Sequence, residues 1–206
     1  MSFRLGVMLL LGSLTGCWQR TDSPPLNDDP EKCMREARGY MDTNRPGEAI
    51  KCLEGFIQRT GNKNGEISEL LASACLLDQD MELAALYFEQ AASLSELKYY
   101  CYLKAAEIYE KLGDYSQAIP CYKWYLQILP EDSEIQVKYA QALLLDGEKK
   151  KALAILVAHC IDDAKVHNQI AELFFEMENY IQGRNWYFSA FGCEKNNLEA
   201  LRGLWK

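Results

Sequence analysis

Histidine is nearly absent from this chain, with two residues in 206, His159 and His167. Neither Cys-x-x-Cys nor His-x-x-x-His occurs, the spacings that put two metal ligands on neighbouring positions of one element. Gly-x-Ser-x-Gly is missing, and so is any glycine-rich loop whose backbone amides cradle a phosphate. No catalytic residue, no metal site and no cofactor is therefore expected, and the chain does not read as an enzyme. Proline (6) and glycine (13) are scarce while Leu, Ala and Tyr are plentiful, which argues against wholesale disorder. Clustered positive charge is lacking too. Thirty acidic side chains against 22 basic ones give a formal charge of −8, and the densest basic run is Lys149-Lys150-Lys151. Nucleic acid is excluded as a partner, because neutralising phosphates needs a basic patch. Long apolar runs are also missing. The greasiest segment, residues 5–14, spans roughly 15 Å as a helix, about half a bilayer core.

That segment has a defined setting. Arg4 precedes it, the small residues Thr15 and Gly16 follow, and then comes Cys17. A charged start, a short apolar stretch and a small-residue end read as an export signal. Leu14-Thr15-Gly16-Cys17 resembles the lipobox of bacterial lipoproteins. The resemblance implies cleavage before Cys17, which takes Arg4 away and leaves a formal charge of −9, and lipidation of the Cys17 sulfur. One acyl chain binds a membrane reversibly, whereas two or three anchor firmly. Trp18 in place of an inner-membrane retention Asp implies the outer membrane, facing the periplasm. The expected division is a signal peptide at 1–16, a lipidated tether at 17–29 and a folded unit at 30–206. An ordinary secretory signal, or an apolar N-terminus on a cytosolic protein, are the alternative readings.

Beyond residue 30 the chain repeats itself. Ala72, Ala106 and Ala140 are 34 residues apart, and so are Ala84, Ala118 and Ala152. Phe88, Tyr122 and Leu156 keep the same spacing, and Gly113 and Gly147 share a phase between two apolar-periodic segments. The pattern predicts pairs of antiparallel helices that approach closely at the alanines, with Gly113 ending one helix and Asp114 capping the next. One such hairpin cannot cover its own apolar face, so the units must stack. Pro120 falls inside a second helix and is expected to bend it or shift its start.

A 34-residue period with this pattern resembles the tetratricopeptide repeat, and "GDYSQAIPCYKWYLQILP" at 113–130 is its best match. The fold class implied is all-α, a right-handed α-solenoid of about five helical hairpins with a short C-terminal capping helix. Repeats are expected at about 30–64, 65–98, 99–132, 133–163 and 164–195, and a cap at 196–206. Gly183 stands where the last unit should have alanine. An unrelated helical bundle is the alternative, though such bundles rarely keep one period over three units.

In that family the first helix of each hairpin lines the concave surface. The corresponding residues here are Met34, Arg38, Met41, Leu76, Leu77, Tyr100, Leu103, Glu107, Val137, Leu144, Leu145, Asn168, Glu172 and Phe175. This wall reads as apolar with charges at its edges, suited to an amphipathic helix or extended peptide, unless packing between hairpins consumes the same side chains. Trp124, Tyr125 and Trp186 are expected in the core. The cysteines other than Cys17 fall mostly at small apolar phases and read as buried thiols, with Cys52 and Cys75 a conceivable pair. The functional expectation is a lipid-anchored scaffold that binds other envelope proteins or peptides, in outer-membrane, pilus or secretion complex assembly. A cytosolic chaperone for secretion substrates is the alternative.

Overall fold

The computed structural model describes residues 29–159 and 162–205. The expected signal peptide, Cys17, Trp18 and nearly all of the tether lie outside the described residues, as does Cys160. Eleven α-helices and no strand occur among the described residues. They pair as α1 (Pro30–Asp42) with α2 (Pro46–Thr60), α3 (Gly65–Leu77) with α4 (Met81–Leu94), and α5 (Tyr100–Leu112) with α6 (Tyr115–Ile128). Then come α7 (Ser133–Leu145) with α8 (Lys149–Ala158), α9 (Ala164–Glu176) with α10 (Tyr180–Cys193), and a short α11 (Leu198–Leu204) against the last pair. The fold is the expected α-solenoid of five hairpins with a terminal helix. None of the described helices is long and apolar enough to cross a membrane.

Most helices begin at an Asp or Asn whose side chain takes up a backbone amide left unbonded in the first turn. Asn64 accepts from Ile67, Asp80 from Leu83, Asp114 from Gln117, Asp132 from Ile135, Asn179 from Gln182 and Asn197 from Ala200, at 2.8–3.3 Å. Pro30 and Pro46 occupy the first turns of α1 and α2, where a missing amide hydrogen costs nothing. Asp114 caps α6 as expected, and α6 runs unbroken through Pro120.

Each hairpin turns on one left-handed residue: Asn44, Gln79, Gly113, Gly147 and Glu178. The turns bring the helices together at residues with almost no side chain. Ala37, Ala72, Ala106, Ala140 and Ala171 on the first helices are fully buried, and so are Ala49, Ala84, Ala118 and Ala152 on the second. Between these columns runs a spine of large residues, Leu53, Phe88, Tyr122, Leu156 and Tyr187, one in each second helix and all inaccessible. Gly183 is more than a small-for-small exchange. A methyl group there would stand 2.3 Å from the Phe175 ring and 3.0 Å from the Ala171 carbonyl.

Two stability changes follow from this geometry, both readable by urea denaturation. Glu178 (φ 61°) carries a left-handed penalty that glycine does not. Glu178→Gly is expected to raise stability by about 0.5–1 kcal/mol. Gly183→Ala is expected to lower it by about 1–3 kcal/mol, because the added methyl must displace the Phe175 ring.

Candidate functional site

The first helices α1, α3, α5, α7 and α9 build one face of the solenoid, and their contacts with one another set its character. Glu69 on α3 accepts hydrogen bonds from Lys98 Nζ (2.7 Å) and Tyr100 Oη (2.8 Å), and Lys104 Nζ stands 3.6 Å from it. Lys138 on α7 donates to Glu107 on α5 at 2.9 Å. Gln141 on α7 donates to Gln169 on α9 at 3.3 Å. The Asn168 amide on α9 donates to Asn197 Oδ1 (3.2 Å) and Glu199 Oε2 (3.0 Å) at the capping helix. Polar side chains therefore bridge successive first helices from α3 to α9, and α9 to the terminal helix α11.

These bonds leave their mark on the charges. Burial alone would raise the Glu69 carboxyl, but the hydrogen bonds from Lys98 and Tyr100, with the charges of Lys98 and Lys104, hold it below its ordinary value. The Lys98 ammonium is raised by its bond to Glu69, and Lys138 by its bond to Glu107. Glu110, next on the same face, moves the other way because burial dominates there.

The expected wall residues separate into three groups. Met34 and Val137 are buried in the core between hairpins, which corrects the expectation that they line a groove. Met41, Tyr100, Leu103, Glu107, Leu144 and Phe175 are half-buried. Tyr100 and Glu107 belong to the polar bridges, Leu103 and Leu144 pack on neighbouring core clusters, and the Phe175 ring lies against Tyr180 and Tyr187. Leu76 (41% exposed), Leu77 (50%) and Leu145 (63%) stand open, all at the C-terminal ends of their helices. The face is thus a polar, internally bonded wall with exposed leucines toward the hairpin turns, less apolar than its sequence suggested. Arg38 and Glu172 are exposed on it, whereas Asn168 is buried.

Two further placements depart from expectation. Trp124 is 52% exposed, stacked on Tyr102 with ring centroids 6.3 Å apart, whereas Tyr125 is buried and Trp186 half-buried. Trp124 lies off the stripe formed by Ala118, Cys121, Tyr122 and Tyr125, and that spacing was the available signal. With Ala92, Leu97, Tyr99 and Ile128 it lines an open apolar hollow of about 540 Å³ on the second-helix side. Cys52 does not simply await Cys75: its sulfur lies 3.7 Å from that of Cys33, across the first hairpin. Cys33, Cys75, Cys101 and Cys121 are buried thiols, as expected. Burial pushes Cys75 and Cys101 up to about 11.

A family model for the tetratricopeptide repeat matches residues 34–96, and a second one matches residues 101–142. Together they span just over half of the chain, which belongs to the tetratricopeptide-repeat family. No curated protein matches it in sequence. Among solved structures it is similar to YrrB, described as a TPR protein with an unusual peptide-binding site, at 14% identity and a TM-score of 0.62. That match covers 85% of this chain and 91% of the other. MamA from Desulfovibrio magneticus RS-1 matches at 13% identity and a TM-score of 0.55, covering 82% and 96%. The C-terminal part of a TPR-containing protein from Cytophaga hutchinsonii matches at 15% and 0.57, covering 83% and 68%. At these identities the likeness is one of fold.

The Glu69 bridge gives a pH-dependent prediction. A carboxyl held below its ordinary value stabilises the folded state at neutral pH, and loses that contribution as pH falls below about 4.5. Glu69→Gln is expected to cost about 1–2 kcal/mol at neutral pH, since the carboxylate is only partly screened by solvent. The urea midpoints of the two proteins should draw together as the pH falls below the ordinary glutamate range and through the lowered range of Glu69 itself.

Proposed function

We propose that this tetratricopeptide-repeat protein is a non-catalytic scaffold, held by a lipid on Cys17 at a bacterial membrane, that binds protein or peptide partners on the face of its first helices. The observation that carries the reading is the continuity of that face. Bridging side chains join first helices of neighbouring repeats, so the wall is preorganised and a partner loses little free energy to ordering it. Leu76, Leu77 and Leu145 supply exposed apolar area beside the polar bridges, the mix of apolar anchors and polar groups by which interfaces gain affinity and register. The peptide-binding site named for YrrB supports a peptide or extended segment as the bound form. The lipobox supports membrane attachment, and Trp18 supports the outer membrane with the solenoid in the periplasm. Partners would then be envelope proteins, in outer-membrane, pilus or secretion complex assembly.

Two experiments test the two halves of the proposal. Cys17→Ala is expected to abolish lipid labelling and release the protein from the membrane fraction. An unlabelled protein that retains Met1 would favour a cytosolic chaperone instead. For the binding face, the variant Leu76→Glu/Leu145→Glu changes only exposed side chains and should keep its helicity. It is expected to lose co-purifying partners that Trp124→Ala retains. The reverse result would move the binding surface to the hollow on the second-helix side.

A further inference from the structure

The last full hairpin carries a feature unrelated to the binding face. Asp162 lies in the turn between α8 and α9, His167 on the first turns of α9, and Cys193 is the final residue of α10. The Cys193 sulfur is 2.9 Å from Asp162 Oδ1 and 3.3 Å from His167 Nδ1, and one donor atom from each residue falls within 4.8 Å of the other two. From this geometry we propose that Asp162, His167 and Cys193 form a binding site for a thiophilic divalent cation of zinc's class.

Three arguments support the site. The donor set is one thiolate, one imidazole and one carboxylate, which suits zinc and other borderline-soft ions and disfavours magnesium and calcium. Bonds of about 2.0–2.3 Å at tetrahedral angles separate neighbouring donors by roughly 3.3–3.6 Å. The observed 2.9 and 3.3 Å, both from the sulfur, need to open by about 0.6 and 0.2 Å to reach the roughly 3.5 Å of a sulfur and an oxygen or nitrogen on one tetrahedral ion. The imidazole is already fixed in place, since His167 is buried and its ring lies 5.3 Å from that of Trp186. Asp162 and Cys193 are exposed, so an ion has a path in and a water can complete the shell. On binding, the Cys193 thiol gives up its proton to solvent and its sulfur bonds the metal.

The location gives the ion a structural role. The second helix α8 has 10 residues, where the other second helices have 14 or 15. A cation joining the turn after α8 to both helices of the next hairpin clamps the array where its helix packing is shortest. Nothing in the 34-residue pattern pointed here, because the ligands come from three elements 5 and 26 residues apart in sequence.

The test is a titration of the full chain, reduced and stripped with a chelator, with Co²⁺ as the spectroscopic probe. The expected result is a thiolate-to-cobalt charge-transfer band with visible d–d bands, saturating at one ion per chain and displaced by Zn²⁺. Cys193→Ser should abolish the charge-transfer band, Asp162→Asn should weaken binding at least tenfold, and Cys33→Ser/Cys52→Ser should leave the band intact. Zn²⁺ should raise the thermal midpoint of the wild type and leave that of Cys193→Ser, checked for unchanged helicity, where it was. A charge-transfer band that survives Cys193→Ser, or none in the wild type, overturns the site.

Discussion

Every hairpin in this solenoid depends on two helices approaching at alanine. The columns of buried alanines on the first and second helices leave no side chain between the backbones, so the spine residues Leu53, Phe88, Tyr122, Leu156 and Tyr187 fill what space remains. Packing this close tolerates little change in volume. Gly183 is a demanding point of it, where even a methyl group meets the Phe175 ring and the Ala171 carbonyl. The left-handed turn residues serve the same constraint, because they reverse the chain in so few residues that the helices have no room to diverge.

Stacking the hairpins carries this order onto a surface. With first helices set side by side, Glu69, Glu107, Gln141 and Asn168 reach across to the following repeat. Glu69 shows the electrostatic result, a carboxylate that stays ionised despite burial because two lysines and a tyrosine surround it. Such bonds contribute modestly to stability, but they hold neighbouring repeats in one register. A wall held in this way offers a partner a preordered surface.

Much of the fold was legible because its rules are local or periodic. The alanine columns, the Asp114 cap and Gly113 and Gly147 all stand out in the sequence, and each performs the role its residue type suggests. Asn44, Gln79 and Glu178 were not legible as turn residues, since nothing in a glutamine or glutamate announces a left-handed backbone. The site was less legible than the fold. Repeat phase selects the positions that face the first-helix wall but not the depth of each one, so Met34 and Val137 proved buried while Leu145 stands open. The same limit applies to the polar bridges. They join residues 28 to 31 apart whose meeting depends on how one hairpin sits on the next.

A preorganised face on a tetratricopeptide-repeat array supports a scaffold that binds other proteins. The most direct test of that account is amide hydrogen exchange on the solenoid alone and bound to a partner captured with it. The account predicts added protection within residues 65–77, 100–112 and 133–145, the first helices, with little change along 81–94 and 115–128. Protection confined to the second helices, or spread evenly over both, would contradict it.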